Sequence, residues 1–287
     1  MSAIVLIPAR YASTRFPGKP LALLKGLPVI QHVYQNSMNS RLADDVVVAT
    51  DSETIFEKVL SFGGKAVMTA GDHVSGTDRI AEVARSMDYD IIVNVQGDEP
   101  LIQPEMIDDV ISLLDDPRAS IGTLAVRIKD RREIFDANTV KAVFGRDGYA
   151  FYFSRAPIPY HRDLFSAEER QYGRAEERKS GSLDAPGREE FHPSELLASG
   201  ESPRRPNFQA SELLMFKHIG IYSYRRNVLT RLAALPPSRL ELIEKLEQLR
   251  ALEAGLTIKV KETIYETFGV DTPEDLERIE KCLNSSL

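Results

Sequence analysis

The stretch Ala3-Ile4-Val5-Leu6-Ile7-Pro8 indicates how the chain folds. Five consecutive apolar residues ended by a proline are typical of a parallel strand buried on both faces. Comparable apolar runs follow at 46–50, 65–68 and 91–95, and stretches with helical spacing of apolar residues separate them at 28–42, 52–63, 78–87 and 104–114. This alternation predicts an α/β, Rossmann-like fold with a mostly parallel central sheet covered by helices.

The chain beyond residue 120 has a different pattern. Strand-like runs occur at 125–128, 140–144, 150–153, 217–224 and 258–263, and helical spacing occurs at 240–254 and from Pro273 to about Leu283. We therefore expect an α/β region at 1–120, a smaller strand-containing region at 121–165 and 213–265, and a loop and helix at 266–287 that return to the first region.

Residues 166–212 differ from the rest in composition. This segment is rich in charged residues, Gly, Pro and Ser, and has few aromatic or β-branched residues. Such a composition buries too little apolar area to offset the entropy of ordering, so it predicts a mobile insertion, with a short helix near 194–199. A lid or partner-docking role and a tolerated surface loop both remain open.

Composition excludes several classes of protein. The 287 residues carry a formal net charge of −7, which argues against a nucleic-acid partner but not against a small anionic ligand. There is a single cysteine, and no apolar run approaches the ~20 residues of a membrane-spanning helix. With no basic flank before the first apolar run, we expect a cytoplasmic protein without membrane insertion.

A cation-rich loop follows the first strand. It carries Arg10, Arg15 and Lys19 together with Ser13, at the sheet edge where ligands bind in open parallel sheets. Arginines and lysines in this arrangement suit a polyphosphate, although a solvated basic loop is the plainer alternative. The loop is not a Walker P-loop, and no G-x-G dinucleotide fingerprint occurs in the chain.

Two acidic segments could complete a nucleotide site. Asp98 follows the strand at 91–95 within Asn94-Val95-Gln96-Gly97-Asp98-Glu99-Pro100, where Gly97 would permit a tight turn. A carboxylate facing the cationic loop suits a Mg²⁺ ion that bridges to a triphosphate, although capping of the next element is an alternative. Asp271 lies just before the last helix, so a helix cap and a metal ligand are equally open there.

Taken together, these segments resemble one family of sugar-activating nucleotidyltransferases, the 3-deoxy-D-manno-octulosonate cytidylyltransferases (CMP-Kdo synthetases). The resemblance covers nearly all of the chain except the insertion. The segments that carry it are 7–10, 13–15, 17–19, 49–51, 75–79, 94–100, 152–155, 218–222, 246–250 and 269–272.

The resemblance implies an enzyme that joins CTP to Kdo and releases pyrophosphate, with Mg²⁺ as cofactor, for lipopolysaccharide synthesis. It also implies a homodimer built through the second region. The implied catalytic residues are Arg15, Lys19, Asp98 and Asp271, with Asp98 and Asp271 as metal ligands. The implied nucleotide-binding residues are Arg10, Ser13, Arg15, Lys19, Ser75 and Gln96, and the implied sugar-binding residues are Arg79, His218, Tyr222, Glu247 and Gln248.

Two other functions remain open on the sequence alone. The same chemistry could act on an amino-substituted Kdo or a related 2-keto-3-deoxy sugar acid, because a few pocket side chains decide the acceptor. The chain could also be an inactive module that binds a nucleotide sugar. The presence of both acidic segments and the complete cationic loop disfavours an inactive protein.

Overall fold

The computed structural model describes residues 1–12, 16–162, 165 and 214–285. The strands are β1 Ala3–Ala9, β2 Leu23–Leu24, β3 Leu27–Pro28, β4 Asp45–Thr50, β5 Ala66–Met68, β6 Ile91–Asn94, β7 Ile121–Arg127, β8 Lys141–Phe144, β9 Ala150–Ser154, β10 Phe216–Arg225 and β11 Ile258–Thr263. The α-helices are α1 Val29–Met38, α2 Glu53–Ser61, α3 Gly76–Arg85, α4 Pro104–Ser112, α5 Arg132–Phe135, α6 Arg226–Ala233, α7 Arg239–Glu244, α8 Gln248–Glu253 and α9 Pro273–Ser285. Single 3₁₀ turns lie at Lys19–Leu21 and Leu113–Asp115.

One mixed sheet forms the centre of the molecule. Its strand order is β11-β7-β10-β6-β1-β4-β5, with β8 and β9 added beside β10, and β2 pairs with β3 separately. The pairs β1–β4, β1–β6, β4–β5 and β7–β11 are parallel, whereas β10 runs antiparallel to β6, β7 and β8. The sheet therefore continues without interruption from the first predicted region into the second, and the fold class is the predicted one.

Apolar residues of the central strands supply the core on both faces of the sheet. Val5 and Ile7 belong to one buried cluster, and Ile4 and Leu6 belong to another. This division follows from the alternation of side chains along a strand, so β1 is apolar at every position because both of its faces are covered. The apolar runs that marked the strands in the sequence reflect this double coverage.

The stretch predicted as one helix at 240–254 is two short helices, so that prediction is wrong. Lys245 adopts a left-handed conformation with φ 55° and ends α7, and α8 begins at Gln248. The guanidinium of Arg155 donates hydrogen bonds to the carbonyl oxygens of Glu244 (2.8 Å) and Lys245 (3.4 Å), which the broken helix leaves unpaired. The break turns the chain so that Glu247 and Gln248 face the interior of the molecule.

Two further differences concern helices and the insertion. Helix α6, directly after β10, was not anticipated, although its Val228, Leu229 and Leu232 are buried. The insertion at 166–212 and its short helix near 194–199 lie outside the described residues.

Candidate active site

The loops that follow β1, β5 and β6 meet at one edge of the sheet and enclose a cleft of about 350 Å³. Parallel strands end at the same edge, which explains why residues distant in sequence come together there. The residues that line this cleft are Pro8, Ala9, Arg10, Lys19, Pro20, His73, Val74, Ser75, Gly76, Arg79, Gln96, Gly97, Asp98 and Asp271. Six of the predicted nucleotide, catalytic and metal positions therefore share one cleft: Arg10, Lys19, Ser75, Gln96, Asp98 and Asp271.

The ammonium group of Lys19 lies between the two predicted metal ligands. Its Nζ donates hydrogen bonds to Asp98 and, at 3.1 Å, to Oδ1 of Asp271. Burial alone would lower the pKa of Lys19, but the two carboxylates more than offset burial, and the net pKa is raised. The backbone N–H of Val270 also donates to the carbonyl oxygen of Asp98 at 2.8 Å, which joins the segment before α9 to the end of β6.

Asp98 and Glu99 are adjacent in sequence but differ in surroundings. Asp98 contacts the lysine in the cleft, whereas Glu99 Oε2 is buried and has no hydrogen-bond partner among the described residues. Burial, followed by the nearby charge of Asp98, raises the pKa of Glu99 to about 8. Asp98 is therefore the residue of this pair that presents a carboxylate to the cleft.

Gly97 lies in the predicted tight turn, in which the backbone N–H of Glu99 donates to the carbonyl oxygen of Gln96 at 3.2 Å. Positive φ angles occur at Gly18, Gly26 and other turn glycines, but Gly97 is not among these residues. A Cβ at this position would instead lie 2.8 Å from the carbonyl oxygen of Pro8. Glycine is needed here because the loop after β6 passes directly against the end of β1.

The donors in the cleft suit a magnesium ion that is shared with a ligand. The described residues contain no group of three or more His, Cys, Asp or Glu that could enclose a metal. Two carboxylates within reach of the same lysine nitrogen are present, and Mg²⁺ is commonly held by one or two carboxylates, substrate phosphates and water. Asp98 and Asp271 therefore fit the role that the resemblance implied.

The start of α3 connects this cleft to a second pocket. Ser75 caps the helix by accepting a hydrogen bond from the backbone N–H of Asp78, whose side chain accepts one from the backbone of Ser75. The Ser75 hydroxyl lies 3.4 Å from Oε1 of Glu247, and the Thr77 hydroxyl donates to Oε2 of Glu247 at 3.1 Å. A predicted nucleotide residue thus contacts a predicted sugar residue.

The second pocket has a volume of about 130 Å³ and shares Gln96 with the first cleft. Its lining residues are Thr77, Asn94, Gln96, Ile121, Tyr222, Tyr224, Leu232, Glu247, Gln248 and Ala251. Burial raises the pKa values of Tyr222 and Glu247, so both groups favour their neutral forms more than they would in water. Three of the five predicted sugar-binding residues, Tyr222, Glu247 and Gln248, line this pocket.

Asn94 and Tyr224 line the second pocket but were not assigned to it from the sequence. Asn94 is 2% exposed and stands opposite Tyr222 in the pairing of β6 with β10. A usable signal was present, because Asn94 is a polar residue in a strand that is otherwise apolar from Ile91 to Val95. Tyr224 lies two residues after Tyr222 and therefore on the same face of β10.

Arg79 lies at the first cleft and not at the second pocket. Its side chain is 4% exposed. Its Nη2 donates to Asp51 at 2.8 Å, and its Nη1 contacts Thr69 and the carbonyl oxygen of Ala70. These bonds tie α3 to the ends of β4 and β5, so Arg79 holds the wall of the cleft in place.

His218 lines neither cavity. Its ring packs edge-on against Phe153 and lies 5.2 Å from the Tyr222 ring, between centroids, and its Nε2 is 2.9 Å from the hydroxyl of Thr123. Burial lowers the pKa of His218 to about 3. His218 therefore packs against Tyr222 in this structure, and its predicted contact with the sugar stays a prediction.

Ser13 and Arg15, which the sequence assigned to nucleotide binding, lie outside the described residues. The structure instead adds His73, a residue that the sequence did not single out, to the lining of the first cleft. Its Nε2 contacts Glu82, which lowers the pKa of that carboxyl.

Comparisons with known proteins identify the family of the chain. A family profile described as cytidylyltransferase matches residues 4–264. The chain belongs to the cytidylyltransferase family. It is 48% identical, over 99% of both chains, to a 3-deoxy-manno-octulosonate cytidylyltransferase of Thermodesulfovibrio yellowstonii, and 45% identical to one of Geobacter sulfurreducens, over 97% of this chain and 98% of the relative.

A solved structure supports the same family. The structure of a CMP:2-keto-3-deoxy-manno-octonic acid synthetase complexed with CTP aligns over 100% of both chains with a TM-score of 0.79 and 37% identity. The resemblance seen in the sequence and the predicted fold class are therefore confirmed, and the chain is a nucleotidyltransferase. No helix in the part of the chain that the structure describes is long and apolar enough to cross a membrane.

Proposed function

We propose that this cytidylyltransferase joins CTP to the anomeric hydroxyl of Kdo and releases pyrophosphate. The observation that carries the proposal is the position of Lys19 between Asp98 and Asp271, in a cleft that connects to a second pocket through Gln96. The cleft offers cations and carboxylates for a metal-bound triphosphate, and the second pocket offers neutral polar groups for a hydroxylated acceptor. The names of the relatives favour Kdo over the amino-substituted acid and over an inactive binding module.

The reaction forms a bond between the acceptor oxygen and the α-phosphorus and breaks the bond to pyrophosphate. Because charge builds on the phosphate oxygens, positioned cations assist more than covalent chemistry does. We assign Lys19 to stabilising this charge together with Arg10, which is exposed at the rim of the cleft. Gln96 lies where the two cavities meet, and it would orient the reacting groups.

Mg²⁺ is the cofactor that we propose, with Asp98 and Asp271 as its protein ligands. When bound, the ion would lower the pKa of the acceptor hydroxyl and neutralise phosphate charge. Lys19 then has to release both carboxylates, and its side chain would turn towards the phosphates. Glu99 is not among the proposed ligands, because its Oε2 is buried and burial raises the pKa of the carboxyl to about 8, which favours its neutral form.

A pyrophosphate-release assay with each of the four nucleoside triphosphates and a panel of sugar acids tests the proposal. We expect turnover with CTP and Kdo that depends on Mg²⁺. Asp98→Asn should lower turnover by at least about 10²-fold, by analogy with the removal of one transition-state charge partner. Asp88→Asn is the matched control, since that side chain is 97% exposed. Full turnover by Asp98→Asn would remove the metal site from the mechanism. CTP binding without pyrophosphate release from any acid would favour the inactive module.

A homodimer, a cytoplasmic location and a place in lipopolysaccharide synthesis are also proposals. The dimer is supported by β9, which pairs with β8 alone among the described strands and exposes 66% of Phe151. An unpaired edge with an exposed aromatic residue is a surface that a symmetry mate can cover. Sedimentation or light scattering of the purified chain measures the assembly state directly.

A further inference from the structure

The second pocket contains a polar atom that the fold leaves without a partner. Asn94 lines the pocket and is 2% exposed. Its Oδ1 is buried and accepts no hydrogen bond from the described residues. Buried amide oxygens are almost always satisfied in folded proteins, so an unsatisfied one requires an explanation. A ligand that supplies a donor at this position is one explanation.

The Asn94 side chain lies beside Tyr224 in this pocket. Oδ1 is the atom of its amide group that is buried without a partner among the described residues, so the carbonyl end is the one that remains available to accept a hydrogen bond. Asn94 also stands opposite Tyr222 across the β6–β10 pair, which keeps the side chain beside the other pocket residues.

The surrounding groups indicate which chemistry the pocket accepts. No lysine or arginine occurs among the described residues that line it, and its one carboxylate is that of Glu247. A substrate carboxylate would meet Glu247 without a compensating cation, whereas Arg10 and Lys19 line the neighbouring cleft. Both oxygens of Glu247 contact hydroxyls, those of Ser75 and Thr77, and burial raises the pKa of this carboxyl, which favours its neutral form and weakens its attraction for an ammonium group. The pocket therefore suits the neutral, hydroxylated part of a sugar acid.

We propose that Oδ1 of Asn94 accepts a hydrogen bond from a hydroxyl on the tail of the acceptor sugar acid and thereby selects acceptors that carry this hydroxyl. The acid then enters with its polyol tail in the second pocket and its carboxylate towards the first cleft. This inference rests on the proposed function and adds to it the side-chain atom that recognises the acceptor, Oδ1 of Asn94.

Steady-state kinetics of pyrophosphate release test the assignment. Asn94→Ala should raise the KM for Kdo about tenfold, as expected for one hydrogen bond of ~1.4 kcal/mol, and should change the KM for CTP less than about twofold. Asn138→Ala is the matched control, because that residue is exposed and lies in a loop away from both cavities. An unchanged KM for Kdo in a folded Asn94→Ala protein would overturn the inference.

Monodeoxy analogues of the acid supply a second test that does not require a variant. The wild-type protein should bind one tail-deoxy analogue more weakly than Kdo, by about the factor that Asn94→Ala costs in the binding of Kdo. The Asn94→Ala variant should bind that analogue as well as it binds Kdo. Equal affinity of the wild-type protein for every tail-deoxy analogue, or additive losses in the variant, would refute the assignment. An analogue with an amine in place of that hydroxyl should bind less well than Kdo, and tighter binding would refute selection for a hydroxyl. Absence of turnover with Kdo in the wild-type protein would instead count against the proposed function.

Discussion

Replacing Lys19 by methionine separates two effects of the same cation. Nζ of Lys19 donates hydrogen bonds to Asp98 and Asp271, so a metal ion that uses those carboxylates has to displace it. The side chains of Lys19, Asp98 and Asp271 are 16%, 27% and 47% exposed, so solvent screens the two ion pairs. Measured values for screened pairs of this kind are about 0.2–1 kcal/mol each.

Together the two pairs oppose metal binding by about 0.4–2 kcal/mol, and 1.4 kcal/mol corresponds to a factor of ten in affinity. Lys19→Met should therefore increase the affinity of the nucleotide-free protein for Mn²⁺ or Mg²⁺ by about 2- to 30-fold. The variant should also lose about 10²- to 10³-fold in turnover, since the cation that stabilises phosphate charge is gone. Metal affinity and catalysis are thus expected to change in opposite directions.

Titration of Mn²⁺ followed by electron paramagnetic resonance measures the first effect, and pyrophosphate release measures the second. Lys65→Met is the matched control, because Lys65 also pairs with a carboxylate, Asp45 at 2.8 Å, but is 64% exposed. This control should leave metal affinity unchanged. If Lys19→Met binds Mn²⁺ no more tightly than the wild-type protein, the carboxylates held by Lys19 are not the metal site.

Two further predictions concern stability. The pKa of His218 in the folded protein, about 3, lies below its ordinary value of 6.5, so unfolding takes up a proton, and stability is lost as the pH falls from 6.5 towards 3. At pH 5 this loss of stability amounts to about 2 kcal/mol, or about 4 °C in the melting temperature. Melting curves should show that His218→Gln lacks this part of the acid dependence. An identical dependence of the melting temperature on pH in the variant would contradict the assignment. Gly97→Ala should destabilise the protein by about 1–3 kcal/mol, because its Cβ would lie 2.8 Å from the Pro8 carbonyl oxygen. Gly71→Ala is the control in denaturant unfolding, because nothing lies within 4 Å of a Cβ there, and equal midpoints for the two variants would show that the loop after β6 adapts.

The parallel part of the fold was predictable because each central strand is apolar along its length. Because β1 is buried on both faces, it has no polar position, and the apolar run 3–7 by itself predicts a strand. The break between α7 and α8 carries no such local signal. It depends on Arg155, about 90 residues earlier, which binds the carbonyl oxygens of Glu244 and Lys245. The apolar spacing of 240–254 suits a single helix, and only the tertiary contact explains the break.

The candidate site shows the same distinction. Residues in loops at the ends of parallel strands, such as Lys19 and Asp98, could be grouped from the sequence because the topology brings those loops together. The pairing of Asp98 with Asp271 came from the family resemblance, since residue 271 stood equally well as a helix cap. Asn94 was missed because its importance depends on a missing partner, and only the surroundings of its side chain in the folded chain reveal that a partner is missing.

The contacts at the start of α3 explain why the two cavities should work as one site. Ser75 lines the first cleft and its hydroxyl contacts Glu247 of the second pocket, while Gln96 lines both. A nucleotide phosphate held near Lys19 and a hydroxylated acid held near Asn94 would therefore approach each other at Gln96. Because one helix start and one strand end form both walls, a displacement of either should affect both substrates. We infer that the tight packing of Gly97 against Pro8 keeps this junction in place, so loop geometry and acceptor selection are parts of the same arrangement.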